Sequence, residues 1–438
     1  MSNEVVLESA KTLHGQMQRG LGRAARRAAD EPGAGEYVYD CIRRDPRWDR
    51  QCETRGLYYA RLMVDLEMPI APLAEHLFDP SDQADPPDQS DPPDLPDLPD
   101  QSDQADSDDA RVRLTLEVLS ELVRLSRREA AVLLRQYAEE GTQWFDALDE
   151  LIFLEDPSLA VGLDTLVAAR CDESELRMLI PGGHNRVIEM WAARQPRIAE
   201  ALALRREAGR ARRPVSTAGE RADRSEDELL ELARRRDDGA IAAIFELGRR
   251  KTFALLDLAE ELLPERPSRV GGAVCRALRE YGPETLPRAR AWAAARGGCE
   301  DMGLRILARH GTRQDIPLLM DELRVAVDRR EWGDAASPIE GLGRLRAGEA
   351  APLLKTAWTE STYAFLRPRI LAALGRTAPH TAEAYTVEGL WDCEEGVRSE
   401  AVRFAPLTQE TRIRLQRLHL DSAEEPGVRA AAAARLMN

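Results

Sequence analysis

Lysine is nearly absent from this chain of 438 residues, since only Lys11, Lys251 and Lys355 occur among its 61 basic residues. The others are arginine, which we attribute first to codon usage in a GC-rich genome; an arginine-built surface for nucleic acid is the alternative. Aromatic residues make up only 5% of the chain. With alanine and leucine abundant, this composition favours closely packed helices. Segments with the alternating apolar pattern of strands are almost absent, which predicts an all-α fold.

Long apolar runs and the usual catalytic motifs are also lacking. No stretch approaches the roughly 18 apolar residues of a membrane span, and the first residues lack the apolar run of a signal peptide, so we expect a cytoplasmic protein. The six cysteines form no CxxC pair and the histidines have no zinc-motif spacing, which predicts reduced thiols buried in helix cores and no metal site. Neither a phosphate-binding glycine loop nor GxSxG occurs. We therefore predict no cofactor and no catalytic residue.

Negative charge is concentrated in one segment, 79–109. It holds twelve of the aspartates and no basic residue, so of the net charge of -16 only -4 belongs to the rest of the chain. Aspartate recurs there at every third position from 79 to 106, which predicts a disordered, low-complexity loop. Expansion of a short DNA repeat is the simpler interpretation, and an arm for a basic partner or a divalent cation is the alternative. The mildly acidic remainder argues against a nucleic-acid or membrane partner.

Leucine-rich segments recur along the chain. Residues 122–134 (LVRLSRREAAVLL) and 342–354 (LGRLRAGEAAPLL) agree at eight of thirteen positions, and Leu-Gly-Arg occurs at 247–249, 342–344 and 374–376. Each copy has apolar residues at helical spacing, then a glycine or polar stop, then a proline or acidic residue that opens a second helix. One copy therefore predicts one helical hairpin.

Glycines in these copies have two expected roles. Gly282, Gly311 and Gly348 follow the predicted first helices, where a residue in the left-handed conformation commonly ends a helix. Other glycines lie near the ends of the first helices, where a small residue lets neighbouring helices approach closely. These glycines are Gly248, Gly343 and Gly375.

The copies resemble the short bacterial HEAT repeats that also occur in phycobilisome-lyase-like proteins. GLGRLRAGEAAPLL matches that pattern closely and ALGRTAPHTAEAY more loosely, and its leading Val-Arg occurs in EEGVRSEAV and EPGVRAAAAARL. The resemblance implies an α-solenoid of HEAT-like helical hairpins, interrupted by the one acidic loop. It is specific for the fold over 227–438 and for no activity, because proteins that share a fold need not share a function.

The chain therefore divides into five predicted segments. Hairpins are expected on both sides of the acidic loop, and a polar stretch around Pro214 without periodicity is expected to be a linker. The segments are N-terminal helical or HEAT-like hairpins at 1–78, the disordered acidic loop at 79–109, HEAT-like repeats at 110–206, a polar linker at 207–226 and a HEAT-repeat solenoid at 227–438.

Two groups of residues are candidates for binding. In the PGGHNR turn, His184, Asn185 and Arg186 follow two glycines, and the backbone amides there could hold an anion at a helix N-terminus. The alternative is an ordinary hairpin turn with Asn185 as the N-cap. Arginines also recur at one repeat position, where we expect them to pair with acidic residues of the adjacent repeat. A basic stripe for an acidic partner or a phosphate backbone is the alternative. These arginines are Arg124, Arg249, Arg309, Arg344 and Arg376.

The predicted function is that of a non-enzymatic scaffold or adaptor, which binds a protein partner along the concave face of the solenoid. One alternative is a nucleic-acid-binding protein, similar to HEAT-like DNA glycosylases, that uses the recurrent arginines. A second is a lyase-like enzyme, which the phycobilisome-lyase resemblance suggests. The net charge argues against the first alternative and the lack of catalytic motifs against the second.

Overall fold

The chain folds into two compact units of helices. The structure, a computed structural model, describes residues 6–50, 52–79, 102–211, 224–236, 239–264 and 268–437. Within these ranges the chain contains helices and no strand, which confirms the all-α prediction. Unit 1 comprises the described parts of 1–213, 362–365 and 383–438, and unit 2 those of 214–361 and 366–382.

The N-terminal part of unit 1 contains twelve α-helices among its described residues. They are α1 Leu13–Gln18, α2 Gly22–Arg27, α3 Ala34–Arg44, α4 Gly56–Asp65, α5 Ala71–Leu77, α6 Ser102–Arg124, α7 Arg128–Glu140, α8 Trp144–Phe153, α9 Leu163–Arg170, α10 Glu173–Leu179, α11 Arg186–Ala192 and α12 Pro196–Ala211.

Unit 2 follows with ten α-helices in its described residues, and the chain then returns to unit 1. The helices of unit 2 are α13 Glu226–Arg235, α14 Ala240–Arg250, α15 Ala254–Leu262, α16 Arg269–Leu278, α17 Leu286–Ala295, α18 Glu300–His310, α19 Ile316–Arg329, α20 Ala336–Leu345, α21 Ala351–Glu360 and α22 Arg367–Thr377. The last four are α23 Pro379–Gly389, α24 Glu395–Phe404, α25 Gln409–Leu420 and α26 Pro426–Met437, with the unit boundary inside α23.

Helices of unit 2 pack in neighbouring pairs, as the hairpin pattern predicts. Helix α13 packs on α14, α17 on α18, α19 on α20 and α21 on α22. Alternate helices also touch, since α14 packs on α16, α18 on α20 and α20 on α22. The paired packing is confirmed, and its assignment to a HEAT-type solenoid stays a prediction.

Two of the three expected glycines lie at close helix contacts. A Cβ atom at Gly248 would lie 2.8 Å from the Cβ of Ala277 on α16, and one at Gly343 would lie 2.8 Å from the Cα of Ala373 on α22. At Gly375 no atom lies within 4 Å of that position, so the prediction is wrong there. Gly375 is exposed on α22, where no neighbouring helix approaches it.

In unit 2, the described left-handed residues that end helices are basic and not the predicted glycines. Gly282 has φ -105° and Gly311 has φ -52°, and Gly348 is not among the glycines of positive φ, so that prediction is wrong. A single residue in this conformation costs about 1–2 kcal/mol, and a cation at the C-terminal end of a helix interacts favourably with its dipole. The residues in this conformation at helix ends of unit 2 are Arg236, Lys251, Arg296, Arg330 and Arg346, with φ between 49° and 60°.

Helices extend into both the predicted acidic loop and the predicted linker. Residues 102–109 of the segment 79–109 belong to α6, so the loop prediction is wrong there. Once a helix has formed, each added residue gains a hydrogen bond, and the apolar C-terminal part of α6 therefore supports its polar beginning. Residues 80–101 lie outside the described residues. The linker 207–226 is shortened by α12 and α13, and 212–223 also lie outside the described residues.

The two ends of the chain pack together inside unit 1. The amide of Cys393 donates a hydrogen bond to the carbonyl of Gly20 at 3.0 Å. A Cβ atom at Gly22 would lie 2.0 Å from the carbonyl oxygen of Glu388, so α2 contacts α23 backbone to backbone. The side chains of Arg23 and Glu388 form an ion pair at 2.8 Å beside this contact. A simple row of hairpins does not predict such pairing of the chain ends.

The described helices and the cysteines can be compared with the sequence predictions of no membrane span and of reduced thiols. No described helix combines the length and the apolar character that crossing a bilayer requires. The six cysteines are free thiols, and four of them are buried among helices as predicted. Cys52 is exposed and Cys275 is half-buried, so the prediction of buried thiols is wrong for these two.

Candidate functional site

Two of the recurrent arginines cap helices of the preceding repeat. Arg309 donates to the carbonyl of Arg279 at 2.6 Å, and Arg344 donates to the carbonyls of Ala308 and Gly311 at 2.7 and 2.6 Å. These carbonyls lie at the C-terminal ends of α16 and α18, where backbone acceptors lack partners and the helix dipole favours a cation. Pairing with acidic residues of the adjacent repeat was therefore a wrong expectation for these two, because the helix ends lie within reach of the guanidinium.

The other three arginines have different surroundings. Arg249 pairs with Glu246 of its own helix at 2.6 Å. Arg124 pairs with Glu121 at 2.8 Å and lies over a phenylalanine ring. Arg376 is exposed and forms no ion pair within the described ranges. Arg124 belongs to unit 1 and the other four arginines to unit 2, and a role in recognition stays a prediction for all five.

The PGGHNR turn has the capping geometry. The side-chain oxygen of Asn185 accepts from the amides of Val187 and Ile188 at 3.0 and 3.2 Å, which begins α11. Its side-chain amide donates to the carbonyl of Ile152 at 2.9 Å. This confirms Asn185 as an N-cap. His184 and Arg186 are exposed on either side of it, and their binding of an anion stays a prediction.

Three aromatic rings form a continuous patch in unit 1, called here the aromatic surface. Trp48 lies in the loop after α3, whereas Tyr363 and Phe365 lie in the short segment between α21 and α22. The ring centres of Trp48 and Tyr363 are 4.7 Å apart, and those of Tyr363 and Phe365 are 6.0 Å apart. Trp48 is 49% exposed and Phe365 37%. Clustered exposed aromatics are typical of binding surfaces.

A buried ion pair between Glu53 and Arg55 supports both loops that carry these rings. Their side chains are 0% exposed, with a nitrogen–oxygen distance of 2.8 Å. One carboxylate oxygen of Glu53 accepts from the amides of Trp48 and Asp49, both at 2.9 Å. The other oxygen accepts from the amide of Ala364 at 2.8 Å. A single carboxylate thus holds the backbone of both loops.

Arg55 adds two contacts from the cationic side of the pair. Its guanidinium donates to the carbonyl of Thr362 at 2.6 Å and to the carbonyl of Gln18 at the end of α1. The segment that carries Tyr363 is therefore held at Thr362 by Arg55 and at Ala364 by the carboxylate. Tyr363 therefore lies between two residues whose backbone is held in place.

A second buried cluster fixes the tryptophan loop from its other side. Arg47 donates to both carboxylate oxygens of Asp45 at 2.7 and 2.6 Å and to the carbonyl of Glu53 at 2.9 Å. It also reaches Glu117 on α6 at 2.8 Å. The side chains of Arg47 and Asp45 are fully buried. Trp48 therefore projects from a backbone that is held on both sides.

The buried groups keep their charges. Burial by itself would raise the pKa of Glu53, but Arg55 and the backbone amides lower it below its ordinary value. Burial by itself would lower the pKa values of Arg47 and Arg55, but their carboxylate partners raise both. Buried ion pairs contribute little net stability, because desolvation offsets their attraction. We therefore interpret this cluster as one that defines the positions of the two loops.

Two arginines, Arg44 and Arg50, flank Trp48 in the sequence, and each lies near an aspartate. Arg44 pairs with Asp40 at 2.7 Å while staying exposed. Arg50 lies 3.8 Å from Asp45, a carboxylate that already binds Arg47 twice. Exposed apolar rings suit an extended segment with an apolar side chain. In the described part of the chain, no group of three or more potential ligands is placed to hold a metal ion.

No protein-family model matches this sequence. Comparison with curated proteins and with solved structures finds no match either. The likeness to HEAT repeats is therefore supported by the repeat motifs alone. The candidate site is supported by the positions of its rings and of the buried ion pairs beneath them.

Sequence reasoning misses the aromatic surface, although a signal is present. Trp48 lies in Asp-Pro-Arg-Trp-Asp, and Tyr363 and Phe365 lie in Thr-Tyr-Ala-Phe. Both stretches fall outside the helical periodicity, so their rings have no place in a helix–helix core. In a chain with few aromatic residues, rings that lie outside the helical pattern indicate an exposed surface. Their proximity depends on a contact between residues as distant as Glu53 and Ala364, which no local pattern predicts.

Proposed function

We propose that this protein is a non-enzymatic, all-helical adaptor of HEAT-like hairpins, and that its aromatic surface binds a segment of a protein partner. The observation that carries this proposal is the set of exposed rings on two loops anchored by one buried ion pair. Rings held in place before binding lose little conformational entropy when a partner covers them. The proposal moves the binding site from the predicted concave face to the loops after α3 and α21.

The partner segment is expected to be extended, with a proline or large aliphatic residue that covers Trp48 and Phe365. Acidic residues beside it would be attracted to Arg44 and Arg50, which flank Trp48 in the sequence. Apolar contact with aromatic anchors supplies most of the affinity in such interfaces. Exposed rim charges contribute mainly to the association rate and to the choice of partner.

Single-stranded nucleic acid is the second candidate ligand. Clustered rings beside arginines also suit stacked bases, which is the observation in its favour. The mildly acidic balance of the chain outside 79–109, a net charge of -4, opposes it, because binding to phosphates depends on an excess of positive charge. Protein is therefore the first candidate.

The test removes two exposed rings and compares the result with removal of an exposed ring elsewhere. Full-length wild type, the double variant Trp48→Ala/Phe365→Ala and the control Phe404→Ala are used for affinity capture from cells that produce the protein. Phe404, at the end of α24, is 67% exposed and lies outside the aromatic surface. Wild type and the control should retain the same partner, and the double variant should lose it without a change in unfolding temperature.

Retention of the same partners by the double variant would refute the proposal. A fluorescence anisotropy titration with labelled single-stranded DNA separates the two ligand classes. If DNA binding weakens with salt and disappears in the double variant, nucleic acid and not protein is the ligand of the aromatic surface. Absence of such binding, together with ring-dependent capture of a protein, supports the adaptor.

A further inference from the structure

A second feature of unit 1, called here the arginine cleft, lies where the two ends of the chain meet. It has a volume of about 390 Å³ and is bounded by the end of α4, the residue after α6 and the C-terminal half of α25. Its apolar lining comes from Val64, Leu125 and Leu420. Its charged lining residues are Arg61, Asp65, Arg414, Arg417 and Asp421.

The carboxylates just after the C-terminal end of α25, those of Asp421 and Glu424, form ion pairs with Arg61 and Arg398. Asp421 accepts from Arg61 at 2.6 and 3.0 Å, and Arg61 also reaches Glu424 at 3.0 Å. Glu424 in turn binds Arg398 through both of its oxygens, at 2.8 and 2.9 Å. These two carboxylates are therefore paired with Arg61 and Arg398, and Asp65 is the other carboxylate among the lining residues.

Arg414 is a buried cation that forms no direct ion pair with a described carboxylate, although Glu424 and Asp65 attract it from farther away. It is 8% exposed, its Nε donates to the carbonyl of Leu390 at 3.0 Å, and its guanidinium lies 5.2 Å from the ring centre of Trp391. It forms no ion pair with any described carboxylate, and neither does Arg417, one turn later on α25. Burial first, and then Arg61 and Arg398, lower the pKa of Arg414 to about 9. A buried charge without a partner is unfavourable, and an anion in the cleft would relieve this.

We infer that the arginine cleft binds the carboxylate or phosphate group of a small molecule through Arg414 and Arg417. The planar guanidinium donates two parallel hydrogen bonds to either oxyanion. The volume falls within the range of about 300–1,000 Å³ for small-molecule sites. Val64, Leu125 and Leu420 would contact an apolar part of the ligand. This surface is separate from the aromatic surface, so the inference does not depend on the proposed function.

Isothermal titration calorimetry on the full chain tests this inference with three probes, inorganic phosphate, acetate and hexanoate. We expect saturable binding of one oxyanion per chain, with hexanoate tighter than acetate because of the apolar lining. Comparison of phosphate with the two carboxylates tells which oxyanion the cleft prefers. Arg417→Gln should weaken binding roughly tenfold, the loss expected for one charge-assisted hydrogen-bonded contact.

The matched control is Arg412→Gln, which removes the same charge from an exposed position on the same helix outside the cleft. It should leave the affinity unchanged, as should the Trp48→Ala/Phe365→Ala variant. If Arg412→Gln and Arg417→Gln weaken the affinity equally, the overall charge of the protein explains the effect, and the inference is overturned. Absence of saturable binding for all three probes would also overturn it.

Discussion

Replacement of Glu53 by alanine should destabilise unit 1 and release both loops of the aromatic surface. The change leaves Arg55 buried without a counter-ion and removes the acceptor of three backbone amides. Removing one partner of a buried ion pair costs about 3–5 kcal/mol. A folded domain has a total unfolding free energy of only about 5–15 kcal/mol. The substitution should therefore remove a large share of the stability of unit 1.

The matched control is Glu410→Ala, which breaks the exposed pair between Arg26 and Glu410. An exposed ion pair contributes only about 0–1 kcal/mol. Urea unfolding followed by circular dichroism measures both variants, and hydrogen exchange reports the amides of Trp48, Asp49 and Ala364, which should lose protection in Glu53→Ala alone. The reasoning is refuted if Glu53→Ala costs no more than Glu410→Ala and these amides stay protected.

Three further predictions concern single groups. Burial raises the pKa of Glu150 from 4.5 to about 7, so the folded state holds a proton that the unfolded state releases, and stability falls as pH rises between these values. Glu150→Gln should therefore raise the free energy of unfolding by up to about 3 kcal/mol near pH 8 and have little effect near pH 4. Gly343→Ala should cost about 1–3 kcal/mol through the close contact with α22, whereas the exposed Gly375→Ala should stabilise by about 0.5–1 kcal/mol. Arg344→Met should cost about 1–3 kcal/mol because it leaves helix-end carbonyls unpaired, whereas Arg249→Met should cost at most about 0.5 kcal/mol.

Denaturant unfolding measures all of these changes, at two pH values for the first. A pH-independent effect of Glu150→Gln would contradict the assigned titration. Equal effects of Gly343→Ala and Gly375→Ala would contradict the difference in helix contact, since both glycines occupy the Leu-Gly-Arg motif. Equal effects of Arg344→Met and Arg249→Met would mean that the helix-end contacts of Arg344 contribute nothing measurable.

The helical hairpins of unit 2 were predictable because their signals are local. Apolar spacing, proline at the second helix and small residues at the first-helix ends all act within one repeat, and Gly248 and Gly343 lie at close contacts as expected. The identity of the left-handed residues was not predictable in the same way. Basic residues take this conformation at Lys251 and Arg346. The amides of Thr252 and Ala347, one residue later, donate back to the carbonyls of Leu247 and Leu342 at 3.2 and 3.0 Å and close the helix ends.

The recurrent arginines illustrate a different limit of sequence reasoning. Their spacing was detected correctly, but their partners depend on which group lies nearest in the folded unit. Arg344 reaches backbone carbonyls of the preceding repeat, whereas Arg249 finds a glutamate one turn away on its own helix. The same motif position thus has two roles, and the choice between them depends on distances of a few ångströms.

The sequence by itself determined that this protein is helical and that its helices pair with their neighbours. Each of these follows from periodicity and composition within a few tens of residues. Only the tertiary structure brought Glu53 to Ala364 and Arg61 to Asp421. The aromatic surface and the arginine cleft both depend on such contacts between distant parts of the chain, which arise from the packing of whole helices and leave no mark in the local pattern.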